Sequence, residues 1–195
     1  MKVEKTIYLV THGEKHSGLV KPEEENSGPN PGMTEEGKER VAALKPNLDE
    51  LLPCGPAVIH CGTGRRHIDT LEALGFPTTS QNRPLYSDLW GSPASLERIG
   101  GEKIIIFADG TITDWEHYKT TKHLGKEVTS RVIAGLDNNS LICSGRPVPA
   151  RLGRRPEECE SGAIYALHVM DDGSIQIELL VSGVNLSDGA EGAKV

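Results

Sequence analysis

The sequence predicts a three-layer α/β sandwich, in which a mostly parallel central sheet carries helices on both faces. Short apolar runs alternate with amphipathic stretches, Gly- and Pro-rich segments separate them, and no internal repeat is present. A chain of 195 residues is long enough for one domain with a substantial core. We therefore expect a single domain over residues 1–184 and a flexible tail over residues 185–195.

The first half of the chain predicts two strands, each followed by a helix. A buried strand at 7–10 precedes a long surface loop at 15–32, because the loop is rich in Gly, Pro and charge. A helix follows at 33–52, with Thr34 as its N-cap and a kink at Pro46. The next pair consists of a strand at 56–62 and a helix at 65–76.

The second half continues the alternation. The segment 102–115 predicts a hairpin that turns at Asp109-Gly110, and an amphipathic helix follows at 125–137. A strand at 139–145 leads into a short Pro- and Arg-rich turn or helix, and residues 162–181 form two strands joined at Asp172-Gly173.

Composition limits the possible functions. The chain has 28 acidic and 21 basic residues, a formal charge of −7 and a pI near 5.5, which argue against a general nucleic-acid or anionic-membrane surface. An anionic ligand would need a locally basic pocket. The four cysteines form no C-x-x-C pair and suggest neither zinc nor a disulfide framework. The apolar stretch near the N-terminus is too short for a signal peptide, so we expect a cytoplasmic protein.

Three predicted strand ends carry the polar residues that matter for function. His12 follows the first strand, residues 62–66 follow the second, and residues 144–146 follow the strand at 139–145. Because ligands of open α/β sheets bind beyond the carboxyl ends of the strands, we expect these loops to line one crevice. His12 and His16 are four residues apart, as in zinc-binding helices, but the preceding strand and Gly13 argue against a metal site.

The motifs at these positions resemble those of the histidine phosphatase superfamily, which includes phosphoglycerate mutases and acid phosphatases. Its first strand ends in Arg-His-Gly-Glu, here Thr11-His12-Gly13-Glu14, and a Leu-Thr-x-x-Gly helix start corresponds to residues 33–37. After the second strand the superfamily has an arginine and, four residues on, a threonine, which match Arg66 and Thr70. The segment "PLYSDLWG" resembles the one that carries the acidic proton donor, and would give that role to Asp88.

The second histidine of the superfamily has two possible counterparts. The strand "LICSG", preceded by a fitting helix, places Ser144 where the histidine belongs. The rival alignment uses "YALHVMDDG" and its His168; we prefer Ser144 and leave both open.

The resemblance implies a metal- and cofactor-independent mechanism. The first histidine attacks phosphorus, arginines and the second histidine bind the phosphoryl oxygens, and a carboxylic acid protonates the leaving oxygen. It therefore implies catalytic roles for His12, Arg66 and Asp88. The implied phosphate-binding set is Thr11, Gly13, Arg66, Ser144, Gly145 and Arg146.

Two functional hypotheses follow, because the first-motif arginine is replaced by Thr11 and, on the preferred alignment, the second histidine by Ser144. One is a phosphomonoesterase of weakened or altered activity that acts on a small phosphorylated molecule or a phosphoprotein. The other is a non-catalytic relative that binds an anionic ligand or a protein partner. Arg146 could replace a lost clamp, or could belong to a solvated basic loop with Arg151, Arg154 and Arg155.

Overall fold

The computed structural model describes residues 1–17, 31–62, 64–78, 93–99, 102–107, 112–114 and 126–183, the last of these segments with side chains from residue 129 onward. A five-stranded sheet forms its centre, in the order β2-β6-β1-β7-β8. These strands span β1 Val3–Thr11, β2 Ile59–Cys61, β6 Leu141–Ser144, β7 Ile164–Met170 and β8 Ile175–Val181. The strands expected at 7–10, 56–62, 139–145 and 162–181 are therefore present.

The expectation of a mostly parallel sheet is only partly confirmed. β1 and β2 both pair with β6 in parallel, whereas β7 pairs antiparallel with both β1 and β8. The chain enters β7 at the edge of the sheet where β1 ends, so this strand must run back along β1. A tight turn then reverses the chain into β8, with the Ser174 N–H donating to Asp172 Oδ1 at 2.9 Å.

The helices largely follow the sequence pattern. Their bounds are α1 Glu35–Ala42, α2 Lys45–Leu51, α3 Arg65–Ala73, α4 Lys126–Ala134 and α5 Pro147–Arg151. Thr34 caps α1 as predicted, because its side chain accepts a hydrogen bond from the Gly37 N–H at 3.0 Å. Pro46 does more than kink the predicted helix. It stands in the first turn of a separate helix, α2, where its missing N–H costs nothing.

Helices cover both faces of the sheet, as predicted. Side chains alternate along β1, so Ile7 and Leu9 pack on one face with Ile133 of α4, while Val10 packs on the other face with the helices α1 to α3. The buried residues of that second face include Val41, Leu44, Leu48, Leu71 and Leu74. The two cores hold the central strands between them and fix the level at which each strand ends.

A separate three-stranded antiparallel sheet has the order β3-β4-β5, with bounds β3 Pro93–Ile99, β4 Glu102–Phe107 and β5 Ile112–Asp114. The pairing of Ile104 with Asp114 confirms the predicted hairpin, whose turn at Asp109-Gly110 lies outside the described residues. Sequence reasoning missed β3. The expected tail at 185–195 also lies outside the described residues, so the domain boundary stays a prediction.

Two glycines explain the spacing of the first motif. A Cβ on Gly13 would lie 2.3 Å from the carbonyl oxygen of Gly37, and a Cβ on Gly37 would lie 2.2 Å from that of Glu14. Backbone therefore packs directly on backbone where the loop after β1 meets the start of α1. The Thr34 N–H donates to the Glu14 carbonyl at 3.0 Å and closes the same contact.

We expect Gly37→Ala to lower the free energy of unfolding by on the order of 3 kcal/mol, because backbone atoms cannot move aside as a flexible side chain can. Urea denaturation followed by circular dichroism measures the change. Gly135→Ala is the matched control, since a Cβ there would lie 3.3 Å from the nearest atom, the Val132 carbonyl oxygen. An equal loss of unfolding free energy in Gly37→Ala and Gly135→Ala would contradict the view that close backbone packing requires glycine at position 37.

Candidate functional site

His12 lies directly after β1, and its backbone is held from both sides. Its N–H donates to the Ser144 carbonyl at 3.0 Å, and its carbonyl accepts from the Gly162 N–H at 3.0 Å. Thr11, the residue before His12, is paired with Ser144 in the parallel register of β1 and β6. The loops after β1 and β6 therefore meet at His12, as expected for neighbouring parallel strands.

The imidazole of His12 is held in one tautomer. Its Nδ1 lies 2.8 Å from the Gly13 carbonyl oxygen, which can only accept a hydrogen bond, so Nδ1 carries the proton. Nε2 then has a free lone pair and faces the loop after β6, where a Cβ on Gly145 would lie 3.2 Å from it. Such a nitrogen can act as a nucleophile without first losing a proton.

Burial and positive charge keep this ring neutral. Burial lowers the pKa of His12 from 6.5 to about 4, with further lowering by Arg66, Lys15 and Arg146, while the hydrogen bond to Gly13 acts in the opposite direction. The region around His12 is thus cationic although the chain as a whole carries a charge of −7. It has the local positive charge that an anionic ligand requires.

The start of α3 brings two further residues to the site. Arg66 is partly buried and lowers the pKa values of both His12 and His67. His67 is 2% exposed, and its ring centroid lies 5.6 Å from that of His12 with the planes tilted by 35°. Sequence reasoning gave His67 no role, although its place beside Arg66, at the start of a helix that follows a strand, was a usable signal.

Four further arginines differ in the partners that their side chains have. Arg65 pairs with the buried Asp69 at 2.6 Å, and Arg155 pairs with Glu158, so their charges are used within their own segments. The Arg154 Nε–H donates to the Glu158 carbonyl at 3.0 Å. Arg146 is exposed, and its charge lowers the pKa of His12. Arg146 therefore acts on His12, while Arg154 and Arg155 bind Glu158.

Thr11 does not take the place of an arginine. Its side chain is fully buried; the hydroxyl donates to the Glu160 carbonyl at 2.9 Å and accepts from the Ala163 N–H at 3.1 Å. This side chain holds the segment 160–163, whose Gly162 binds the His12 carbonyl. Gly13 also has its N–H occupied, since it donates to Met33 Sδ at 3.1 Å.

The two candidates for the second histidine lie in different places. Ser144 is 3% exposed and is the register partner of Thr11. His168 pairs with Thr6, six residues before His12 along β1 and therefore about 20 Å away. Its Nδ1 lies 2.9 Å from Thr6 Oγ1. Asp88, predicted as the proton donor, lies outside the described residues.

Within the described ranges, no three His, Cys, Asp or Glu side chains come close enough to hold a metal ion. A helix with the length and apolar character of a membrane span is also missing from that part of the chain. The cytoplasmic location stays a prediction.

Comparison with solved structures identifies the fold. The chain is similar to the protein histidine phosphatase SixA complexed with tungstate, with a TM-score of 0.56, 14% identity, and coverage of 93% of this chain and 99% of that chain. It is also similar to a candidate alpha-ribazole-5'-P phosphatase from Escherichia coli str. K-12 substr. MG1655, with a TM-score of 0.53, 15% identity, and coverage of 92% and 98%. A third is a candidate phosphohistidine phosphatase SixA from Nakamurella multipartitia, with a TM-score of 0.50, 17% identity, and coverage of 91% and 94%.

No protein-family model matches the sequence, and the comparison with curated proteins gives no match. The likeness to solved structures confirms the fold that the motifs predicted, an α/β sandwich of the phosphoglycerate mutase type. The resemblance to the histidine phosphatase superfamily is thus confirmed at the level of the fold.

We expect the His12 ring to titrate near pH 4, and Arg66→Gln to raise that midpoint while leaving it below 6.5. Removing a positive charge favours the protonated ring, but burial, the largest cause of the low pKa, remains. A pH titration of the His12 carbon-bound proton resonances by NMR measures both values. Arg65→Gln is the matched control, because that guanidinium pairs with Asp69; an equal shift in the control would contradict this picture.

Proposed function

We propose that this protein hydrolyses phosphomonoesters without a metal ion, through a phosphohistidine formed at Nε2 of His12. The observation that carries the proposal is the state of the His12 ring. The Gly13 carbonyl fixes the proton on Nδ1, and the low pKa leaves Nε2 unprotonated at neutral pH. A histidine kept neutral beside an arginine is suited to attack an anionic phosphoryl group.

The reaction proceeds in two displacements. The Nε2 lone pair of His12 attacks phosphorus, the bond between phosphorus and the ester oxygen breaks, and the leaving oxygen takes a proton. Water then attacks the phosphohistidine and gives a proton back to the group that protonated the leaving oxygen, the bond between nitrogen and phosphorus breaks, and inorganic phosphate leaves with His12 neutral again. Arg66 and Arg146, whose charges act on His12, are the groups we assign to the phosphoryl oxygens. Asp88 stays our candidate for the acid.

We expect the activity to be weak relative to that of an enzyme that has all the phosphate-binding arginines and histidines of the superfamily motif. Loss of one preorganised donor typically costs about 10²–10³ in rate. Thr11 cannot replace an arginine, because its hydroxyl is bound to Glu160 and Ala163, and Ser144 is short and buried. The neighbouring structures are those of a protein histidine phosphatase and a candidate alpha-ribazole-5'-P phosphatase, and we propose the same broad substrate class, a phosphorylated small molecule or phosphoprotein.

The engaged hydroxyl of Thr11 also favours a second candidate function. Position 11 contributes a structural bond rather than a charge, which is what a protein that binds an anion without turning it over would keep. The pocket would then hold a phosphorylated ligand through Arg66 and Arg146. Tungstate, the ligand in the SixA structure, is a suitable probe for this alternative.

We expect His12→Asn to abolish phosphoenzyme formation and to lower the single-turnover rate at least about 10³-fold, because no other group would supply the nucleophile. The substrate is ³²P-labelled p-nitrophenyl phosphate, and the reaction is quenched in alkali, since a phosphohistidine hydrolyses in acid. His168→Asn is the matched control, because that ring lies far along β1.

Three results would count against the proposal in different ways. Label that persists in His12→Asn places the nucleophile elsewhere. Equal losses in the two variants indicate damage to the fold. Wild-type protein that binds tungstate by calorimetry but forms no phosphoenzyme supports the non-catalytic alternative.

A further inference from the structure

A second histidine, His67 on α3, lies next to His12. We propose that His67, on α3, is a phosphate ligand that donates a ring N–H to an oxygen of the group bound at His12. This inference rests on the proposed function, because it assumes that the anion lies at His12. The resemblance expects the second phosphate-binding histidine at the end of β6, whereas this proposal places it on α3.

The geometry supports direct contact with the same ligand. The two ring centroids are 5.6 Å apart and the planes are tilted by 35°, so the rings are neighbours but are not stacked in parallel. A phosphoryl group bonded to Nε2 of His12 extends its oxygens about 3 Å from that nitrogen, within hydrogen-bond reach of a neighbouring ring at this distance. Arg66, the adjacent residue, acts electrostatically on both rings.

The polar atoms of His67 lack the partners that a purely structural histidine would have. Its side chain is 2% exposed, and neither Nδ1 nor Nε2 makes a hydrogen bond of normal geometry, although a backbone interaction with Gly62 raises its pKa. A buried donor without a good partner destabilises the fold, so such a group calls for an explanation. A ligand oxygen at His12 would satisfy it.

Two other buried polar side chains on α3 have clear partners. The Thr70 hydroxyl donates to the Arg66 carbonyl at 2.8 Å. The Asp69 carboxylate accepts from the Met33 N–H at 2.8 Å and pairs with Arg65. Of these three buried polar side chains, only His67 makes neither an ion pair nor a hydrogen bond of normal geometry, and it is the one beside His12.

The charge state of His67 suits the role. Burial, with Arg66 and His12, lowers its pKa well below 6.5, so the ring is neutral at neutral pH and carries one N–H. A neutral donor can bind a phosphoryl oxygen while Arg66 balances the charge. Two protonated rings side by side would instead repel each other and deactivate the nucleophile.

The test is binding of inorganic phosphate, measured by calorimetry at pH 7.5, in His67→Leu, His67→Asn and a control. A hydrogen bond to a charged oxygen corresponds to about a 10- to 100-fold change in affinity. We expect that loss in His67→Leu and partial recovery in His67→Asn, which keeps an N–H donor. His60→Asn is the matched control, since that half-buried histidine lies on β2 and should leave phosphate affinity unchanged. In the wild type, the His67 side-chain ¹⁵N resonances should shift as phosphate is added.

The outcomes separate this inference from the proposed function. Unchanged affinity in His67→Leu, or an equal loss in His60→Asn, overturns the assignment of His67 even if the phosphohistidine forms normally. Weakened phosphate binding in His67→Leu without any phosphoenzyme in the wild type supports His67 and removes the catalytic proposal. If His67→Leu does not fold, the wild-type resonances decide: a shift supports the contact, and its absence on saturation overturns it. Wild-type protein that binds no phosphate also overturns it.

Discussion

The parallel pairing of β1 with β6 is the constraint on which the candidate site depends. It places Thr11 beside Ser144, so that the His12 N–H can donate to the Ser144 carbonyl and the imidazole faces Gly145. The two cores lock this pairing, because alternate residues of β1 are buried on opposite faces of the sheet. A slip of one residue would exchange those faces and carry His12 away from the loop after β6. The position of the histidine is therefore a consequence of core packing.

Electrostatics turn this position into a chemically useful one. His12 and His67 are buried beside Arg66, and both pKa values lie below neutrality, chiefly because burial disfavours the charged ring. Keeping the rings neutral avoids the cost of burying two more positive charges. It also leaves the local positive charge available for an anion, in a chain whose total charge is −7. In the unfolded chain both histidines become protonated near pH 6.5, whereas in the folded protein they become protonated only at lower pH. These two histidines therefore lower the stability of the fold as the pH falls below 6.5.

Position 11 has a structural role in this chain. Where the superfamily motif has an arginine, Thr11 binds the segment 160–163, and Gly162 in that segment binds the His12 carbonyl. Thr11 thus supports the backbone of His12, and its hydroxyl is already engaged by Glu160 and Ala163. Gly13 and Gly37 keep their motif roles for a steric reason, since each would bring a Cβ within 2.5 Å of backbone.

The sequence alone determined the alternation of strands and helices, the cap at Thr34 and the strand-end position of His12, because periodicity, capping and turn chemistry are local properties. It could not determine that β7 runs antiparallel, that a new helix begins at Lys45, or that β3 joins the smaller sheet, since these depend on how segments pack and pair. Sequence alone also left Ser144 and His168 as alternatives for the second histidine. The register of β7 against β1 distinguishes them, because it places His168 beside Thr6 and away from His12. His67 became visible for the same reason: its burial and its distance from His12 arise from packing α3 against the sheet, and neither property is encoded in any local pattern.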